Sequence, residues 1–235
     1  MSKHFRIDLA LEVGALAPLD ARRFATVLRL GVGDELRLCD ARGRVFLARV
    51  ASLEPHGAEM TAEVIAEVSG LDADPAAALT VWVPLLKGGK TDDLVRQVTE
   101  LGATRIATYS SRHSVARLDA KKARERQVRF AEIAAQACNQ CGRTTLPEVL
   151  VPVDHLPRSG PGIFLWEGGG TPIMDALGNL DARLTLLVGP EGGLARDEAD
   201  ALVALGWLPA TLGTRILRAE TAVLALVTLA SYGPR

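Results

Sequence analysis

Leu184-Thr185-Leu186-Leu187-Val188-Gly189-Pro190-Glu191-Gly192-Gly193 decides the fold. Its first half is apolar at four of five positions and does not alternate, as expected of a strand covered on both faces in a parallel sheet. It breaks into a glycine-proline loop, and a helical stretch from Ala195 to Leu205 follows. A strand, a glycine loop and a helix in that order belong to an open α/β sheet, where ligands bind at the carboxyl ends of strands. One glycine suffices for a tight turn. Those at 189, 192 and 193 are expected to take positive φ and to let a ligand come close to the backbone.

A second unit of this kind lies downstream. Ala210 to Leu217 reads as a strand that runs into Arg218-Ala219-Glu220-Thr221-Ala222. The helix expected from Ala219 to Tyr232 is apolar on every face from Val223 to Ala230, which places it in the core or at a subunit interface. Arg218 and Glu220 therefore stand beside a buried element, either as a helix cap with an ion pair or as site residues. Further strands are expected at Leu79 to Pro84, Thr104 to Tyr109, Gly162 to Trp166 and Arg183 to Val188. A helix from Thr91 to Leu101 would be capped by Thr91, with Asp92 and Asp93 in its first turn. A longer one, Lys121 to Cys141, would turn Val128, Ile133, Ala134 and Ala137 to one side. Strands alternating with helices predict an open parallel α/β sheet. Before them, residues 1–70 read as a small β-barrel: a short helix over Ala21 to Leu28, a strand Glu35 to Cys39, a hairpin turn Asp40 to Gly43, its return Val45 to Val50, and a strand Thr61 to Val68. Ser69 to Pro75 reads as a linker, giving domains 1–70 and 71–235.

Composition excludes several classes. With 48% hydrophobic and 23% charged residues the chain is neither disordered, collagen-like nor a coiled coil. No apolar run approaches the roughly 20 residues that span a bilayer, and Met1 to Asp8 lacks a signal-peptide core. Three cysteines, Cys39, Cys138 and Cys141, cannot build a disulfide framework, so a reducing cytoplasmic setting is expected. The net charge of −1 conceals two basic islands. Arg22 to Arg49 holds seven arginines against three acids, and Arg105 to Arg129 eight basic residues against two acids. Such islands suit either a polyanion partner or two solvated faces.

Other motifs carry less. Gly88-Gly89-Lys90-Thr91 resembles the end of a phosphate-binding loop, but Pro84 stands where the motif needs its first glycine, which leaves a strand-to-helix turn. Cys138-Asn139-Gln140-Cys141 has no second pair for a zinc site and sits at the end of a helix rather than its start, so both cysteines read as packing residues. His4, His56, His113 and His155 are scattered, and no nucleophile elbow or carboxylate pair is present, so neither a metal centre nor a hydrolase is expected.

The stretches Gly189 to Leu194, Leu212 to Ala222, Cys138 to Arg143 followed by Pro147-Glu148-Val149, and Leu28 to Asp34 together resemble a known family. It is the bacterial ribosomal RNA small subunit methyltransferase E family, the 16S rRNA (uracil(1498)-N(3))-methyltransferases of the SPOUT class. The resemblance implies an α/β fold: a trefoil-knotted SPOUT methyltransferase domain behind a small N-terminal PUA-like β-barrel that helps hold RNA. It implies a homodimer, and S-adenosylmethionine bound without metal between three loops. Carried onto this chain, the cofactor-binding residues are Leu165, Trp166, Val188, Gly189, Pro190, Glu191, Gly192, Gly193, Leu212, Gly213, Arg215, Ile216 and Leu217. The partner implied is 16S rRNA or the small ribosomal subunit.

Uracil N3 carries a proton and is a poor nucleophile when neutral. Its methylation requires that proton to leave, by a positioned carboxylate or with a guanidinium stabilising the charge that develops on the carbonyl oxygens of the ring. Glu220 and Arg218 are the residue types required and are the catalytic candidates. The RNA backbone would lie on the basic islands, with Arg22, Arg23, Arg29, Arg112, Lys121 and Lys122 as contacts. The alternatives are a SPOUT methyltransferase with another RNA target and a non-catalytic ribosome-assembly protein that keeps the fold. The second would be expected to lose the glycine loop.

Overall fold

The computed structural model describes residues 4–27, 29–54, 59–68, 78–114, 118–178 and 183–233. The chain divides into two compact units, Met1–Asp74 with Cys138–Thr145, and Pro75–Ala137 with Leu146–Arg235. The linker expected at Ser69 to Pro75 lies outside the described residues.

In the first unit β1 (His4–Arg6), β2 (Leu16–Leu19), β3 (Glu35–Cys39), β4 (Val45–Leu53) and β5 (Met60–Val68) form one sheet in the order β1-β3-β4-β5-β2. Every pairing but β1 with β3 is antiparallel. Alternation in β3 and β4 turns Leu36, Leu38, Phe46, Ala48 and Val50 into a core with Phe5, Phe24 and Met60. The short helix expected after Asp20 is a π-helical turn, Arg22–Val27. The Cys138–Thr145 segment joins this unit through Arg6, whose backbone N–H donates to Asn139 Oδ1 (2.7 Å) and whose Nη1 donates to Thr144 O (3.0 Å). Cys138 is buried and Cys141 half-buried, each with its thiol directed at a backbone carbonyl, which is the packing role expected of them.

The hairpin turn at Asp40 rests on one buried carboxylate. Asp40 Oδ1 accepts from the backbone N–H groups of Arg42 and Arg44 (2.9 Å each), and Oδ2 from Arg44 Nε (3.1 Å) and Nη2 (2.9 Å).

The second unit is built on a seven-stranded sheet, all parallel, in the order β10-β12-β9-β11-β6-β7-β8. Its strands are β6 (Ala78–Pro84), β7 (Arg105–Tyr109), β8 (Glu148–Val149), β9 (Ile163–Leu165), β10 (Thr171–Pro172), β11 (Arg183–Val188) and β12 (Leu208–Thr211). The helices are α1 (Lys90–Glu100), α2 (Ala120–Cys141), α3 (Ile173–Leu177), α4 (Arg196–Ala204) and α5 (Ala219–Tyr232). Strand β11 lies between β6 and β9 and feeds both faces. Leu186 enters a core with Val81, Val95, Ile106 and Leu226, while Leu187 enters another with Phe164, Leu202 and Trp207. A strand buried on both sides has no reason to alternate, which explains its continuous apolar run.

Three expected elements differ. Thr91 does not cap α1: Gly89 precedes the helix at φ 81°, and the buried Thr91 hydroxyl accepts from the Leu86 N–H (2.8 Å). In α2 the inward residues are Ala123, Phe130, Ala134 and Ala137, with Ile133 half-buried against the core, and Val128 is 60% exposed because it lies about 200° around the helix from Phe130. Helix α5 is buried along Ala219, Ala222, Val223, Leu226, Val227 and Ala230, but Thr221, Thr228 and Tyr232 are exposed and Leu224, Ala225 and Leu229 half-buried. A helix apolar all round is thus fully covered on one face only among the described residues.

Asp40 gives a test. Burial raises its pKa, but the backbone and side-chain hydrogen bonds of Arg44, with those of Arg42 and Leu11, outweigh that and hold it below 3.8. A folded-state pKa lowered in this way contributes stability above the unfolded value, and the contribution is lost as pH falls through the folded value. Asp40→Asn is expected to cost about 2 kcal/mol at neutral pH in urea unfolding, and the difference from wild type should close as pH falls below 3.8. A gap that does not change with pH would show that Asp40 is not paired as a carboxylate.

Candidate functional site

Four neighbouring parallel strands, β12, β9, β11 and β6, end on one side of the sheet. The loops that follow the first three, together with Lys90 at the start of α1, line a cavity of about 680 Å³. The structure brings Leu165, Trp166, Val188, Gly189, Pro190, Glu191, Gly192, Gly193, Leu212, Gly213, Arg215, Ile216 and Leu217 to this one cavity, along with Arg218 and Glu220.

The glycines work differently from the expectation. Of the three in the β11 loop only Gly193 takes a positive φ, 70°. Gly192 is needed for space within the protein, and Gly189 sits in a tight contact. A Cβ on Gly189 would lie 3.2 Å from Leu194 N, and one on Gly192 only 2.8 Å from His113 Cβ. His113 Nδ1 hydrogen-bonds Gly192 O at 3.0 Å, which sets the ring nitrogen as the donor. Just upstream, the buried Tyr109 hydroxyl donates to Val188 O (2.7 Å), and burial, with the Glu198 charge, raises its pKa. The β7 end therefore fixes both sides of the glycine loop.

The other two loops have their own constraints. The strand expected from Ala210 to Leu217 stops at Thr211, because Gly213 takes φ 111° and its N–H is captured by Thr211 Oγ1 (3.1 Å). Residues 212–218 are loop, and Ile216 stands 81% exposed at the cavity's edge. After β9, a Cβ on Gly168 would lie 2.6 Å from the Trp166 ring, and one on Gly170 2.4 Å from Pro209 O. The Arg196 guanidinium lies 5.1 Å over the Trp166 ring.

Sequence reasoning missed Lys90. Its Nζ lies 2.7 Å from Glu220 Oε1 and 3.9 Å from Glu191 Oε1. The signal was present in Gly88-Gly89-Lys90-Thr91, which reads as a plain turn until β6 is known to neighbour β11. The Lys90 hydrogen bond is the main cause that lowers the Glu220 pKa, aided by Glu220's own backbone N–H and the nearby charges of Lys90 and Arg218, against burial. Glu220 Oε2 is buried and has no hydrogen-bond partner among the described residues. Arg218, exposed at the N-cap of α5, makes no ion pair among the described residues. A carboxylate with a lowered pKa is a weak proton acceptor, so Glu220 is set up as a fixed anion engaged by Lys90 rather than by Arg218.

The RNA candidates occupy both units. Arg22 and Arg29 are exposed in the first, Arg29 at φ 56°, and the side chain of Arg23 lies outside the described residues. In the second, Lys121 and Lys122 are exposed, with Lys122 3.5 Å from Asp119. Arg112 is exposed but committed to Asp197 through both Nη atoms (2.9 and 2.5 Å). Among the described residues there is no cluster of three or more metal-ligating side chains, and no helix is long and apolar enough to cross a membrane.

A parallel α/β sheet with a glycine-walled cavity at its strand ends defines a protein that takes a small ligand there. The family model of the RNA methyltransferase domain matches residues 73–231, and that of the RNA methyltransferase PUA domain matches residues 24–63. The chain belongs to this RNA methyltransferase family. It is 30% identical to the ribosomal RNA small subunit methyltransferase E of Synechocystis sp. over 83% of its length, spanning 65% of that relative. It is 28% identical to the methyltransferase E of Mycobacterium bovis, covering 97% of this chain and 90% of the other. The crystal structure of the methyltransferase E from Neisseria gonorrhoeae bound to S-adenosyl methionine superposes with a TM-score of 0.83 at 29% identity, covering 97% and 96% of the two chains.

The Gly192 contact can be tested by compensation. Gly192→Ala should cost about 1–3 kcal/mol in chemical denaturation, as overpacking does. His113→Gly in the same chain removes the opposing Cβ and should recover most of that loss relative to His113→Gly alone. Additive losses would show that the two residues do not meet.

Proposed function

We propose that this chain methylates N3 of one uridine in 16S rRNA with S-adenosylmethionine as donor, acting in the cytoplasm as a homodimer on rRNA or the small ribosomal subunit. The observation that carries the reading is the convergence of three glycine-bearing loops on one cavity in a member of the RNA methyltransferase family. The site fits the cofactor. About 680 Å³ is ordinary for a small-molecule pocket. Its wall offers Leu165, Val188, Leu212 and Leu217 to an apolar ring, and the carboxylates of Glu167 and Glu191 to hydroxyl or ammonium groups. The donor supplies a sulfonium-bound methyl group; uracil N3 forms the new N–C bond, the C–S electron pair stays on sulfur, and the N3 proton leaves to solvent.

Arg218 orients the uracil and stabilises its anion, and Glu220 takes an organising role in preference to that of proton acceptor. Because N3 lies on the pairing edge, the target base is unpaired or flipped into the site. Domain 1–70 and the basic islands, with Arg22, Arg23, Arg29, Lys121 and Lys122, hold the RNA backbone, and Arg112 joins them by exchanging the Asp197 carboxylate for a phosphate. A trefoil knot formed around these loops belongs to the same reading. The homodimer is supported by Leu224, Ala225 and Leu229 of α5, which the described residues of one chain cover only in part.

Mass spectrometry of rRNA from a strain lacking the gene tests the reading. One 3-methyluridine should disappear from 16S rRNA and return with the wild-type gene. Arg218→Ala should not restore it, although it remains folded and binds S-adenosylmethionine in calorimetry with chelator present. A methyl group lost from another RNA would redirect the activity, and no lost methyl group would leave a binding protein. No heat of binding for the wild type would remove the cofactor assignment.

A further inference from the structure

We propose that Lys90 is a catalytic cation of this site, donating to a carbonyl oxygen of the uracil as its N3 proton leaves, and that Glu220 is the positioning residue that holds Lys90 there. The inference rests on the methyl-transfer reading above. Three features of the pocket carry it. First, Lys90 extends from the start of α1 into a cavity otherwise walled by the loops of three other strands. Second, its ammonium is tethered: one N–H is engaged by Glu220 Oε1 at 2.7 Å, while Glu191 at 3.9 Å is beyond hydrogen-bond reach. An ammonium has three donors, so two remain for a ligand. Third, the tether is built into the fold, because Glu220 lies in the first turn of α5, with Oε2 buried and its side chain 26% exposed. A lysine on a flexible stem would otherwise spread over many rotamers in solvent. Fixing it before reaction is the condition under which a donor stabilises a developing charge most.

The chemistry needs such a group. Neutral uracil must give its N3 proton to solvent before its lone pair can take the methyl group, and the resulting anion places its charge on the carbonyl oxygens beside N3. A cation at one of those oxygens lowers the pH at which the nucleophilic form is populated. Lys90 and Arg218 then form a pair of positive groups at the mouth of the cavity, and no side chain has to act as base.

The test uses single-turnover methylation of small subunits from the deletion strain, together with calorimetry for S-adenosylmethionine, on the full-length chain. Lys90→Met should bind S-adenosylmethionine within about threefold of wild type, lose roughly a hundredfold in rate at neutral pH, and move the ascending limb of the pH–rate profile to higher pH. Lys90→Arg should bring the limb back toward wild type. Glu220→Gln should keep the rise of rate with pH while lowering the rate, because the tether weakens but no base is lost. The proposal is overturned if Lys90→Met weakens cofactor binding tenfold or more and leaves the saturated rate intact, which would assign Lys90 to the cofactor. It is overturned equally if the limb does not move, or if Glu220→Gln abolishes the pH dependence, which would make Glu220 the base. Failure of the wild type itself to bind S-adenosylmethionine would instead remove the functional reading on which the proposal rests.

Discussion

The site depends on the order in which parallel strands lie. Because β12, β9, β11 and β6 are neighbours and all run the same way, the segments that follow them leave the sheet from one end. Residues distant in sequence, Lys90, Trp166, Gly192 and Glu220, then line one cavity. The strands themselves are short, and β9 has only three residues, Ile163–Leu165. Their register is held by burial on both faces, where Leu186 and Leu187 serve opposite cores. A slip by one residue would exchange those faces and would move every loop relative to its neighbours.

The loops are shaped from beneath as much as by the chain's own turns. Tyr109 reaches from the end of β7 to Val188 O, and His113 meets Gly192, so the segment after β7 acts as a template for the loop after β11. Arg112 extends this contact to Asp197 in α4, and its backbone N–H to Glu198. Charge in the cavity is arranged rather than merely present. Lys90 lowers the Glu220 pKa, which weakens that carboxylate as a proton acceptor, and the pairing tethers the lysine. The reaction proposed for the site generates an anion on the acceptor, and a pocket with two cations poised near its mouth suits that demand.

Sequence reasoning reached the site by its strongest local signals. The apolar run into Gly189 and the Leu212 to Ala222 stretch each identified a loop, and every cofactor candidate among them lines the cavity. The positive-φ expectation fails at Gly192, which makes room for His113, a partner 79 residues away that no local pattern reveals. Lys90 is hidden for a related reason: its turn carries no local signal until the adjacency of β6 and β11 is known. The same limit applies to Val128 and to α5. Periodicity identifies an apolar face, whereas its cover is set by neighbours, and for part of α5 the described residues supply only partial cover.

The central claim is that the loops after β9, β11 and β12 form the methyl-donor site, and hydrogen–deuterium exchange with and without S-adenosylmethionine tests it directly. The cofactor is predicted to protect backbone amides at 166–170, 189–194 and 212–219, with little change in β1 to β5 of the first unit. Protection confined to other segments, or no protection at saturating cofactor, would contradict the account.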